Sequence, residues 1–226
     1  MKAIAPYFTT ILLLPFHRLI SRYTTPSDPD LNSPPRSRMN NYFWFDALKH
    51  SIRKNKRAKE NRYFQMATLS QDGSPSNRTV VFRGFVDGSV SIKAITDTRS
   101  NKFAEIESNA LCEVCWYFSI TREQFRIKAA AAIDHQASSQ ERLNVWSELS
   151  PSAREQFFWA APGEPLLSRD VHQCIPPEPI QEPPASFALL VLSPISVDHL
   201  TLKGTPQTRW YSNKSGDDWS TVAVNP

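Results

Sequence analysis

Only six of the 226 residues are glycine, and they are scattered singly through the chain. Neither common type of glycine-rich phosphate loop can be assembled from them, which excludes the familiar nucleotide-binding fingerprints. HExxH, GxSxG and paired zinc-knuckle cysteines are also missing, so no short motif marks a metalloprotease, a serine hydrolase or a zinc finger. Three cysteines (Cys112, Cys115, Cys174) are too few and too odd in number for a disulfide framework, and a reducing compartment fits them. The early apolar run at residues 3–16 contains Pro6 and Pro15 and is broken by polar residues. It falls short of the roughly 20 apolar residues that cross a bilayer, so no membrane partner is expected.

Charge is unevenly placed. Residues 1–63 carry 12 Lys and Arg against 4 Asp and Glu, while the rest carries 14 against 18. The net charge of +4 therefore belongs to the front of the chain, and the mildly acidic body is not that of a nucleic-acid-binding domain. Three readings of residues 1–38 stay open: a signal-like segment without a clear cleavage site, an Arg- and Ser-containing organelle-targeting segment, or an extension upstream of a start at Met39. The expected organisation is a disordered or targeting-like stretch at 1–38 and one globular domain at 39–226. The expected location is cytoplasmic, or organellar if residues 1–38 are a targeting segment.

Within the body, Phe43, Trp44, Ala47, Leu48 and Ile52 fall at helical spacing over residues 42–59. The following KNKRAKENR run reads as a solvated helix end. Three alternating, β-branched and aromatic runs come next, RYFQMATLS, SNRTVVFRGF and SVSIKAIT, separated by Gly-containing turns. A short helix is expected over 99–109, with Phe103, Ala104 and Ile106 inward. LCEVCWYF and QFRIKAAAAI read as two further strands, and residues 138–149 and 152–160 as helices opened by serines. A proline-rich crossing at 175–184 leads to the long strand SFALLVLSPISVDHLTL and a closing hairpin, TRWYSN and DWSTVAV. The order β-β-β-α-β-β-α-α-β-β-β predicts a mainly β, α+β fold built on an antiparallel barrel.

Three segments carry candidate chemistry. In Arg78-Thr79-Val80-Val81-Phe82-Arg83 the strand alternation points the two arginines to opposite faces. In the strand-to-helix turn from Thr96 to Lys102, free backbone N–H groups, Ser100, Arg99 and Lys102 suit an anion such as a phosphate. In REQFRI, Gln124 both donates and accepts hydrogen bonds, as the edge of a heteroaromatic ring requires. Taken one at a time, each also reads as an ordinary strand end or helix cap. Cys112 and Cys115 form a CxxC, but three residues apart on a strand they face opposite sides, so buried apolar thiols are expected and no metal centre.

The ordered set, RTVVFR, then a strand ending in Thr96, a Ser-x-Lys helix start and REQFRI, resembles the pyridoxamine 5′-phosphate oxidase family, in its cyanobacterial and plant-type branch. The resemblance runs over residues 42–226, including the closing Trp210 and Trp219 hairpin and the terminal VNP. It implies a six-stranded split β-barrel, a homodimer, and FMN bound between subunits. By position it implies cofactor contacts from Arg78, Thr79, Val80, Val81, Phe82 and Arg83 along the flavin, from Ile95 and Thr96 at its edge, and from Ser100, Asn101 and Lys102 at its phosphate. Gln124 and Arg209 would meet the ring. Asn101 replaces a family arginine.

Other departures bear on the reaction. The family's substrate-gripping Tyr, Arg and Ser have no counterpart in VWSELSPSA, its Gln-Ser pair falls at Gly163-Glu164 after Trp159, and its Arg-x-His falls among Thr205 to Thr208. No catalytic residue and no substrate can be named from the sequence. The resemblance implies an FMN-dependent oxidoreductase of a small molecule or, as an alternative, a flavin-binding or sequestering module with little turnover.

Overall fold

The computed structural model describes residues 42–165 and 181–226. Expectations for residues 1–38, for Cys174 and for most of the 175–184 crossing fall outside the described residues. Helix α1 (Phe43–Lys54) is followed by a 3-10 turn (Lys59–Arg62) and strands β1 (Tyr63–Leu69), β2 (Pro75–Val81) and β3 (Ile92–Asp97). Helix α2 (Asn101–Ser108) leads to β4 (Leu111–Phe118) and β5 (Glu123–Asp134). Helices α3 (Gln140–Ser147) and α4 (Pro151–Glu155) precede β6 (Phe187–Thr201), β7 (Thr208–Ser215) and β8 (Asp218–Val224). The expected strands and helices form in the expected order, except that the helix expected at 152–160 is reduced to α4 and a 3-10 turn (Gln156–Phe158).

All strand pairs are antiparallel, and the sheet runs β2-β1-β4-β5-β6-β7-β8 with β3 also on β6. Strands β1 to β6 thus trace a ring that stops short of closure. Between β2 and β3 there is no ladder, only Arg83 N to Lys93 O at 2.9 Å, Lys93 N to Gly84 O at 2.7 Å and a bridge from Phe85 to Ile92. Gly84 sits at φ +114, which lets the chain leave β2 while its carbonyl still accepts from Lys93. This is the split barrel, with β7 and β8 added as a hairpin on β6.

Strand β6 changes neighbours along its length, which is what bends the sheet. Residues Phe187 to Leu192 lie between β3 and β5, and Ser196 to Thr201 between β5 and β7. Pro194 occupies the changeover, where only β5 lies alongside, so its missing N–H removes no second ladder bond. A register shift at Lys128/Ala129 lies opposite it.

The barrel interior is filled from alternate strand positions by Phe64, Met66, Val114, Trp116, Phe118, Phe125, Ile127, Leu190, Leu192 and Val197. Trp44 and Leu48 of α1 seal one end. A smaller core, Val145, Trp146, Leu149 and Phe157 against Phe187 and Leu189, holds α3 and the segment after α4 to the outer side of β6. No helix among the described residues is long and apolar enough to cross a membrane.

Helix α2 differs from expectation in the face it buries. Ala104 is exposed, and Glu105 is buried beside Ile106. The reason is polar: Glu105 pairs with Arg78 at 2.7 Å and accepts from Thr68 at 2.6 Å. Burial alone would raise this carboxyl, but Thr68, Ser76 and Arg78 together hold it below its ordinary range.

Candidate functional site

A cavity of about 910 Å³ opens beside the unclosed seam of the barrel, within the size range of small-molecule sites. Four stretches of chain line it. Strand β2 contributes Thr79, Val80 and Val81, and Arg83 follows two residues beyond its end, while Arg78 and Phe82 turn to the other side. Strand β3 contributes Ile95, Thr96 and Asp97, and the first turn of α2 contributes Lys102. The 3-10 turn supplies Lys59 and Arg62, with Tyr63 following. The fourth wall comes from the chain at and beyond α4, with Phe157, Trp159 and residues 160–165.

Arg99 holds that last wall in place. Its guanidinium grips the Asp97 carboxylate through two contacts, Nε to Oδ1 at 2.9 Å and Nη2 to Oδ2 at 2.7 Å. It also donates to the carbonyls of Trp159 at 2.9 Å and Phe157 at 3.3 Å. Arg99 therefore ties the α2 turn to the Trp159 segment, and its charge is committed there instead of to an incoming anion. Ser100 stands at the cap position of α2, but its hydroxyl donates to Asp97 O at 2.7 Å and does not cap the helix.

The cavity collects more positive charge than it neutralises. Lys59, Arg62, Arg83 and Lys102 face it against Asp97, already held by Arg99, and Glu164. Burial depresses the pKa of Lys102, and neighbouring Arg78 adds to this, against the opposing pull of Asp97 and Glu105. Burial also depresses Arg83, with the Arg62 charge adding to it, and the buried Arg83 Nε has no hydrogen-bond partner. An orphaned guanidinium nitrogen beside a like charge fits a ligand that carries anionic groups.

Of the residues singled out from the sequence, Thr79, Val80, Val81, Arg83, Ile95, Thr96 and Lys102 line this one cavity. Arg78 lies behind it on Glu105, Phe82 packs on Trp116, Ser100 sits under the turn and Asn101 is exposed at the start of α2. Gln124 and Arg209 are elsewhere in the protomer. They flank Leu200 on neighbouring strands, with Gln124 opposite the core-facing side of β5. Arg209 makes two contacts to Asp198, at 2.9 and 2.7 Å, and Arg126 shares that carboxylate.

The sequence reading missed Lys59, Arg62, Tyr63 and the wall at 153–165. Lys59 and Arg62 belong to the basic run read as a solvated helix end; α1 stops at Lys54, and the end of the run curls into the 3-10 turn at the cavity. The local signal was the abrupt passage from basic helix to strand. Trp159, 44% exposed in a chain that buries most of its tryptophans, was the mark of the other wall.

The profile of the family described as "Pyridoxamine 5′-phosphate oxidase, FMN-binding domain" matches residues 41–134, which span α1 to β5. The pyridoxine/pyridoxamine 5′-phosphate oxidase 2 of Arabidopsis thaliana is 36% identical over 191 residues, 81% of this chain and 96% of its own. Among solved structures, a pyridoxamine 5′-phosphate oxidase-related FMN-binding protein of Nostoc punctiforme is 40% identical, with a TM-score of 0.75 over 81% of this chain and 97% of that one. PhzG of Burkholderia lata, solved with tetrahydrophenazine-1-carboxylic acid, has a TM-score of 0.68 over 80% and 91% of the two chains; at 18% identity it shows a shared fold.

Proposed function

Because the chain belongs to the pyridoxamine 5′-phosphate oxidase family of FMN-binding proteins, we propose that it is an FMN-dependent oxidoreductase of a small molecule, with the flavin in the cavity beside β2. The observation that carries this is the meeting of Thr79, Val80, Val81 and Arg83 with Lys102 in one space of about 910 Å³. FMN, when bound, supplies the electron-accepting ring; the protein's part is position and electrostatics.

Lys102 holds the phosphate as a partly desolvated ammonium, where a charge-assisted contact is stronger than in water. Thr96 and the α2 N-terminus stand beside it as further donors. The ring lies along Thr79 to Val81, with Ile95 on its edge. Glu105 keeps Arg78 aligned behind the phosphate end. Arg99 closes the far wall by carrying Trp159 over the cavity. Gln124 and Arg209 reach the ring from a second copy of the chain, which makes the working unit a homodimer.

Pyridoxine or pyridoxamine 5′-phosphate, for which the Arabidopsis relative is named, is the first substrate to try. A second reading, a flavin-holding module with little turnover, is favoured by α3. Val145, Trp146 and Leu149 of VWSELSPSA are buried in the small core, and no Tyr-Arg-Ser trio faces the cavity there. The purified protein is expected to be yellow and to show flavin absorbance after FMN is added; a colourless protein that takes up no FMN would overturn both readings. Aerobic turnover of pyridoxamine 5′-phosphate with hydrogen peroxide release separates the two for that substrate.

A further inference from the structure

We propose that Glu105 is a positioning residue for the phosphate end of the cavity: its carboxylate is the counter-charge that holds Arg78 in place and lets Lys102 present its own charge to the cofactor. This rests on the flavin reading above, which gives the cofactor's phosphate to Lys102.

Helix α2 sets the two residues side by side. Lys102 and Glu105 are three apart on it and so are neighbours on its surface, Lys102 lining the cavity and Glu105 meeting the sheet. One oxygen of Glu105, Oε2, accepts from Arg78 Nη2 at 2.7 Å and from the Thr68 hydroxyl at 2.6 Å, and Ser76 adds a further hydrogen bond to the carboxylate. Only 8% of the Glu105 side chain is exposed.

A carboxylate is costly in this position. Burial pushes it up, and donors from β1 and β2 are needed to hold it below its ordinary range. An apolar pair of similar volume would pack α2 on these strands as well or better, because a buried ion pair adds little net stability. The charge therefore answers to something besides packing. Two other carboxylates held in this way lie away from the cavity: Glu123 on His199 and Ser51, and Asp198 between Arg126 and Arg209. Glu105 stands one helical turn from a cation that lines it.

That cation is crowded. Burial opposes the Lys102 ammonium, and Arg78 opposes it further. Lys59, Arg62 and Arg83 add positive charge around the same space, with Glu164 on the far wall. Asp97 favours the ammonium, but its carboxylate is gripped by Arg99. Glu105 acts twice. It offsets Arg78 by direct contact, and it favours Lys102 across the turn of the helix.

The test compares FMN with riboflavin, which has the same ring and no phosphate, on the full chain from neutral pH upward. The flavin phosphate is already doubly ionised above about pH 7, so the ratio of the two affinities follows the protein's own charges. Glu105→Gln keeps an acceptor for Thr68 and Arg78 but removes the charge. It is expected to leave riboflavin affinity unchanged and to move the alkaline fall in FMN affinity down by about one pH unit. Glu105→Asp, which keeps the charge, is expected to keep the wild-type profile; an Asp variant that behaves as the Gln variant overturns the proposal. So does an equal loss for both flavins, which a packing role would give, or an FMN profile that does not move. Should Glu105→Gln not fold, Arg78→Gln decides: with that cation gone the fall in FMN affinity should move up in pH, and an unmoved fall overturns the proposal. If the wild type binds neither flavin, the flavin reading fails separately. Lysine side-chain NMR of the flavin-free protein, with the Lys102 signal identified by its loss in Lys102→Ala, then decides the role of Glu105: titration at a lower pH in Glu105→Gln upholds it, and an unchanged titration overturns it.

Discussion

Lys102 is the residue on which the proposed phosphate contact turns. Half-buried and close to Arg78, it is a cation whose charge is costly until an anion arrives. Lys102→Ala is expected to weaken FMN binding by about 1–3 kcal/mol, as for one lost charge-assisted contact. Fluorescence titration measures it, and an unchanged affinity would put the phosphate elsewhere. Glu123 has a structural role of the same kind. Burial pushes its carboxyl up, but hydrogen bonds from His199 (3.1 Å), Ser51 and Thr121 outweigh that and hold it at about 2. Its folded value lies below the ordinary 4.5, so the stability it contributes is present above pH 4.5 and is lost as pH falls towards 2. Acid unfolding of the wild type should show this window. In Glu123→Gln the slope between those pH values should flatten.

At the scale of elements, the cavity depends on segments that are not neighbours in sequence. The Arg99 guanidinium joins the turn before α2 to the carbonyls of Trp159 and Phe157, some 60 residues away. Arg99→Ala should release that wall: amide exchange should quicken over residues 156–165 and stay as it is in β4 and β5. Equal protection in both proteins would show that the small core alone holds the segment. Strand β4 gives a second case. Alternation sends Cys112 into the core and Cys115 to the other face, and burial raises the Cys112 thiol to about 12. Mass-spectrometric mapping after alkylation of the native protein at pH 8 should find Cys112 unlabelled and no bridge between the two. Strand and helix periodicity made these elements legible, down to the limits of β4 and β8. Glu105 was not, because a charged residue at a buried position is decided by Arg78 and Thr68 on other strands, not by its own neighbours.

The whole molecule raises the question of where Gln124 and Arg209 act. Both lie away from the cavity of their own protomer, on the face of the sheet formed by β5, β6 and β7. If a two-fold copy brings them to the flavin, each site uses Lys102 of one chain and Arg209 of the other. Lys102→Ala and Arg209→Ala should then each lose flavin affinity. When the two variants are mixed and exchanged, each mixed dimer has one site free of both changes, so tight binding should partly return. No recovery, in a mixture shown to exchange subunits, would place both residues in the same protomer's site or Arg209 outside it.

The sequence by itself determined the element order and the antiparallel character, and it marked segments of β2, β3 and α2 that line the cavity. Those rest on local rules, the period of two in RTVVFR and the anion-friendly start of a helix, which act over a few residues. What only the tertiary structure decided was the rest of the cavity: that the end of a basic run returns to line it, that Trp159 hangs over it from Arg99, and that Arg99 and Arg78 spend their charge inside the protein. Each of these is a pairing across the chain. A charged side chain looks the same in sequence whether its partner is water, a carboxylate or a ligand, and the fold alone selects which one it meets.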